Sequence, residues 1–129
     1  DGKAGLVKAF QDVTAAWDST GLCLFTSFAW SLENVAPHMD SACEGDWDAN
    51  RLMEAGERIW NLERDFNMRA GLTAADDTLP KRMLEEAANT GPAEGKVSGL
   101  AEMLPEYYEL RGWSADGEPT REKLDSLGL

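Results

Sequence analysis

Histidine and cysteine are scarce in this chain: His38 is the one imidazole, and Cys23 and Cys43 are the two thiols. A single histidine excludes a multi-histidine metal site and any acid–base scheme built on paired imidazoles, and His38, beside Pro37, reads as a surface or packing residue. Two cysteines allow one disulfide, but a chain of 129 residues with 43% apolar residues can bury a core without a staple, so reduced thiols are expected. No Gly-rich phosphate loop, C-x-x-C, H-E-x-x-H or G-x-S-x-G pattern occurs, which removes the common nucleotide, redox, zinc-protease and serine-hydrolase signatures. Basic side chains are half as numerous as acidic ones, 12 against 24, for a formal charge of -12. That negative field repels phosphate backbones and anionic bilayers, so neither nucleic acid nor membrane is an expected partner. No apolar run approaches the roughly 18–20 residues that span a bilayer, and the N-terminus lacks the basic-then-apolar layout of a signal peptide; a cytoplasmic setting is expected.

What is present is helical periodicity. Leu6, Val7, Phe10, Val13 and Trp17 recur mostly at spacings of three and four, predicting a helix over 4–17 with one buried stripe. Asp18-Ser19-Thr20-Gly21 ends it. The dense apolar run from Leu22 to Leu32 has no clean polar face and predicts a central helix buried on most sides. Pro37 interrupts the pattern, and Gly45 with Asp46 marks a second break. Asp48 is then a candidate N-cap for the longest helical signal, 48–69, with Leu52, Ala55, Ile59, Leu62 and Phe66 along one stripe and Gly71 as the stop. Gly56 inside this helix is a cost relative to alanine unless a neighbouring element packs closely against it. Further helical runs are predicted at 81–88, at 100–112 with a kink or delay at Pro105, and at 121–127 behind the candidate N-cap Thr120. The fold class expected is all-α, an irregular multihelical domain of about five to seven helices with no sheet, filling residues 1–129. The chain opens without Met and enters a helical pattern almost at once, the look of a piece of a longer polypeptide.

Most clusters that invite a chemical reading have a plainer one. Asp76-Asp77 and Glu85-Glu86 lack the alternating oxygen ligands of a calcium loop and read as solvated faces. Trp17, Trp30, Trp47, Trp60 and Trp113 lie in an acidic chain at helical positions and read as core. The segment Asp18-Ser19-Thr20-Gly21-Leu22-Cys23 is different: it sets a carboxylate, a glycine turn and a thiol within one short stretch between two apolar segments. Glycine lets backbone approach a flat ligand, aspartate accepts hydrogen bonds from its N–H donors, and thiolate is the preferred ligand of iron–sulfur clusters. Composition alone leaves a plain buried cysteine as the other reading.

The pattern D-x-x-G-L-C at 18–23, followed by Leu24-Phe25, resembles the second pterin-binding motif of the aldehyde ferredoxin oxidoreductase family. The stretch Gly56-Glu57-Arg58-Ile59-Trp60-Asn61-Leu62-Glu63-Arg64, the run Ala75-Asp76-Asp77-Thr78-Leu79-Pro80-Lys81-Arg82, and Tyr107-Tyr108-Glu109-Leu110-Arg111-Gly112-Trp113 with its G-x-P-T tail resemble the family's C-terminal signatures. The resemblance implies the C-terminal part of an enzyme that oxidises aldehydes to carboxylic acids at tungsten or molybdenum held by two pterin dithiolenes, with electrons leaving through a 4Fe-4S cluster to ferredoxin. It implies that Asp18 hydrogen-bonds one pterin, that Gly21, Leu22 and Leu24 lie against it, and that Cys23 is the last of four cluster ligands. Cys43 has no counterpart in the motif. The other ligands lie upstream in the family, so the isolated piece is expected to be inactive and free of cofactor, with upstream domains of the same polypeptide as partners. Leu22, Leu24, Phe25 and Phe28 are then expected to expose a surface that those domains cover. If ferredoxin docks here, Lys81 and Arg82 would have to offset the negative field. The competing class is a cofactor-free helical interaction domain descended from this family.

Overall fold

The computed structural model describes residues 2–129. Among them lie six α-helices: α1 (Lys3–Ser19), α2 (Leu32–Ala42), α3 (Ala49–Arg69), α4 (Lys81–Glu85), α5 (Leu100–Arg111) and α6 (Arg121–Ser126), with short 3-10 helices at Leu24–Phe28 and Ala74–Asp76. No strand forms among the described residues; two isolated bridges, Ala88 with Glu94 and Trp113 with Pro119, close loops. The expected all-α architecture is observed.

Local chemistry explains the ends. Asp48 caps α3 by accepting the Arg51 N–H at 2.7 Å, and the Thr120 hydroxyl does the same for α6 from Lys123 at 3.2 Å, each satisfying an orphan donor of a first turn. Asn34 accepts the Ser31 N–H at 2.9 Å at the start of α2. Gly112 ends α5 at φ 70, a conformation that a side chain would resist.

The long helix α1 packs on α3 and α5. At the α1–α3 crossing, a Cβ on Gly56 would lie 1.9 Å from the Asp12 carbonyl oxygen, so this glycine is where the two backbones meet. Beside that crossing, Ala16, Trp17, Leu32, Val35, Ala36 and Leu52 form the apolar core. On its other side the interior is polar and aromatic. Arg111, fully buried, donates to Asp12 at 2.5 Å and to Gln11 at 2.7 Å. Lys8 joins Asp12 (2.9 Å) to Glu57 (3.2 Å), and Glu57 also meets Lys123 (3.1 Å), so one chain of charge ties α5, α1, α3 and α6. Burial alone would raise the Glu57 carboxyl, but hydrogen bonds and charge from Lys123 and Lys8 hold it below its ordinary value. A second knot joins Arg64 to Asp77 at 2.5 and 2.7 Å and to the Gly117 carbonyl at 2.8 Å, while the Tyr108 hydroxyl also donates to Asp77. Trp113 donates to Asn61 at 2.8 Å and lies under the Arg64 guanidinium. No buried side-chain polar atom among the described residues lacks a partner, which such an interior requires.

Several sequence expectations need correction. The segment 22–32 is no central helix: only a 3-10 turn forms, and every residue from Gly21 to Ser31 is exposed. Pro37 does not break the chain but sits inside α2, where its missing N–H removes a single helix bond and the helix continues. Pro105 likewise lies inside α5. The stripes are also displaced. Leu6, Val7 and Phe10 of α1 and Leu62 and Phe66 of α3 are exposed, whereas Ala4, Asp12 and Ala16 of α1 and Gly56, Asn61 and Arg64 of α3 are buried beside the expected Trp17 and Leu52. Close helix approach selects small residues and paired polar ones, so the contact face is not the most apolar face. Asp77 is not on a solvated face, because Arg64 and Tyr108 hold it. Trp30 is exposed at 41% and stacks on the exposed His38 with rings 6° from parallel, while Trp17 and Trp113 are core as expected.

Candidate functional site

The stretch 18–24 leaves the C-terminal end of α1. Asp18 is exposed in the last turn of α1, which carries no basic residue. It borders a cleft of 420 Å³ shared with Thr14, Ile59, Trp60 and Glu63. After Thr20 the chain reverses at Gly21, φ 76, a left-handed conformation that glycine adopts without strain. Among the described residues, nothing beyond Gly21 and its two chain neighbours lies within 4 Å of a Cβ placed there, so the glycine serves the turn and leaves open space over its backbone.

Internal hydrogen bonds hold the loop. The Thr20 hydroxyl donates to the Trp17 carbonyl at 2.7 Å and accepts the Leu22 N–H at 3.3 Å. The Cys23 carbonyl accepts three donors: Trp17 Nε1–H at 3.2 Å, the Thr26 N–H at 3.0 Å, and the Thr26 hydroxyl. Cys23 caps the following 3-10 helix with extended backbone, φ -61 and ψ 131. Its thiol is free and exposed in this chain, as is that of Cys43. Both thiols are unpaired, as expected.

Leu22 and Leu24 are exposed, and beyond them Phe25 and Phe28 are 76% and 85% exposed and stack at 5.9 Å. Leu24 and Trp30 line a cleft of 430 Å³ with Phe10, Trp17, Leu32 and Met53. The expected exposure of Leu22, Leu24, Phe25 and Phe28 is therefore observed. An apolar surface this concentrated around one thiol is of the kind that marks an interaction face.

The five sequence-predicted site residues, Asp18, Gly21, Leu22, Cys23 and Leu24, lie on one exposed stretch that runs from the last turn of α1 to the first residue of the 3-10 helix. The donor set is incomplete for a metal: no group of three or more His, Cys, Asp or Glu side chains that could hold an ion occurs among the described residues. One exposed thiolate is suited to supply one ligand of a cluster whose other ligands come from elsewhere. Sequence reasoning missed the residues behind the loop, Trp17, Thr20 and Thr26. The threonines carried a signal, since hydroxyls near a glycine turn commonly bond to nearby backbone; the indole contact carried none.

Residues 1–129 match the family model described as aldehyde ferredoxin oxidoreductase, domains 2 and 3. The tungsten-containing aldehyde ferredoxin oxidoreductases of Pyrococcus furiosus and Pyrococcus abyssi are each 48% identical over 130 residues, covering 100% of this chain and 22% and 21% of theirs. That of Thermococcus kodakarensis is 47% identical, with 100% and 22% covered. The chain thus spans about a fifth of the length of the curated relatives it matches. Among solved structures, the active-site complex of benzoyl coenzyme A reductase with 1,5-dienoyl-CoA is similar at TM-score 0.78 and 27% identity, covering 98% of this chain and 19% of that one.

Proposed function

Since the chain belongs to the aldehyde ferredoxin oxidoreductase family, we propose that it works as the C-terminal helical part of a cytoplasmic enzyme that oxidises aldehydes to carboxylic acids and passes the electrons to ferredoxin. A tungsten or molybdenum bis-pterin supplies the two-electron oxidation when bound, and a 4Fe-4S cluster supplies the one-electron relay. Cys23 gives the cluster one thiolate ligand, and the remaining three come from upstream domains of the same polypeptide. Asp18 accepts hydrogen bonds from pterin N–H groups. The open space over Gly21 and the main chain of Leu22 and Leu24 take the flat face of the same group. Leu24, Phe25 and Phe28 pack against the upstream domains and exclude water from it.

The observation that carries this reading is the exposure of Asp18, at the end of α1, and of Cys23, on the short loop that follows, whose backbone is tied down from behind. Replacing Cys23 with serine in the enzyme that carries this chain tests it. We expect iron content to fall and the cluster EPR signal to change, and Asp18→Ala to lower pterin retention. Iron content and EPR signal equal to the parent enzyme in Cys23→Ser would refute the ligand role.

A further inference from the structure

Trp17 belongs to the apolar core, packed in the cluster with Ala16, Leu32, Val35, Ala36 and Leu52 and only 1% exposed. Its ring N–H nevertheless reaches out of that core to the Cys23 carbonyl, six residues on, at 3.2 Å. The other bonds on this loop come from Thr20 and Thr26, which belong to the loop itself. Thr20 ties the turn to the main chain at the end of α1 and Thr26 bonds within the turn; the indole bond adds a side-chain tie from the apolar core straight to the Cys23 peptide.

A phenylalanine at 17 would fill much of the same space but would leave the Cys23 peptide held only by Thr26. An exposed loop with a left-handed glycine at its apex has many conformations of similar energy. A ligand sulfur, by contrast, has to stand within about 0.5 Å of its productive place. From this geometry we propose that Trp17 is a positioning residue: its buried N–H fixes the Cys23 peptide and thereby sets where the Cys23 sulfur and the Leu22 and Leu24 main chain meet the groups they hold. The inference rests on Cys23 being a cluster ligand, and it adds that the ligand is placed from the core as well as by its own loop. Trp17 touches no reacting atom and acts only through the Cys23 peptide.

The test uses the enzyme that carries this chain, with Trp17 replaced by benzothienylalanine, an isostere in which sulfur stands for the ring N–H and the core stays filled. Amide exchange at Gly21, Leu22 and Thr26 is expected to rise roughly fivefold, the weight of one net hydrogen bond, with the thermal midpoint of the domain little changed. The cluster EPR spectrum is expected to shift or broaden and iron to be lost faster to a chelator. Replacement by 7-azatryptophan, which keeps the N–H, is expected to restore both. Exchange and EPR spectrum identical to the parent in the benzothienyl variant would overturn the proposal, as would failure of 7-azatryptophan to restore them. Cys23→Ser in the same background separates the two ideas. If that variant keeps its iron, the ligand reading itself fails; if it loses iron while the benzothienyl variant behaves as parent, only the role of Trp17 fails.

Discussion

Gly56→Ala sets local helix chemistry against tertiary packing, and the two predict opposite signs. Inside a helix, alanine is favoured over glycine by about 1 kcal/mol, so a reading of α3 alone expects stabilisation. In the folded chain the new Cβ would lie 1.9 Å from the Asp12 carbonyl oxygen and 2.8 Å from its carbon, about 1.5 Å short of ordinary contact at roughly 3.5 Å. Both atoms are backbone of α1, so no side chain can swing aside; the two helices must separate. Separation loosens the Trp17–Leu52 core on one side and the Asp12–Arg111 pair on the other. Overpacking costs about 1–3 kcal/mol, and contact with rigid backbone places this site at or beyond the upper end. After subtracting the propensity gain, a net loss of about 2 kcal/mol remains, which lowers the midpoint of a chain this size by about 7 °C. Thermal and urea unfolding of the chain, followed by circular dichroism and tryptophan fluorescence, read the effect directly. A midpoint equal to or above that of the parent would refute the reasoning, since it would mean that the helices do not meet at Gly56.

Two further predictions concern the polar interior. Asp12→Ala leaves the fully buried Arg111 without its carboxylate and is expected to cost about 3 kcal/mol or more in urea unfolding, whereas the double change Asp12→Leu with Arg111→Met is expected to cost less than the single one. The Asp77–Tyr108 contact is expected to show at both ends of the pH scale. Burial and the hydrogen bond and charge of Asp77 push the Tyr108 phenol up to about 12 from 10.0, so its stabilising contribution is complete below pH 10 and disappears as pH rises towards 12; a tyrosine absorbance titration should find a phenol with its midpoint near 12 that is absent in Tyr108→Phe. Burial would raise Asp77, but Arg64 and Tyr108 more than offset it and hold the carboxyl below its ordinary 3.8. Its contribution is therefore present above about pH 4 and lost below that, so Asp77→Asn should flatten the fall in stability on acidification.

Read by itself, the sequence determined the class of fold, most helix ends and the identity of the candidate loop. These are local properties: the Asp48 and Thr120 caps, the stops at Gly71 and Gly112, and the D-x-x-G-L-C spacing each act through a few neighbouring residues. Only the tertiary structure decided which helix faces are inside. Leu6, Phe10, Leu62 and Phe66 follow a buried helical period yet point outward, because α1 and α3 approach backbone to backbone through Gly56 and carry their interior charges in pairs. Nor could periodicity find that Arg111 pairs with Asp12 across 99 residues or that Trp17 reaches the Cys23 carbonyl. A side-chain hydrogen bond depends on where two backbones lie in space, and that is settled by the sum of all the packing, which no single segment contains.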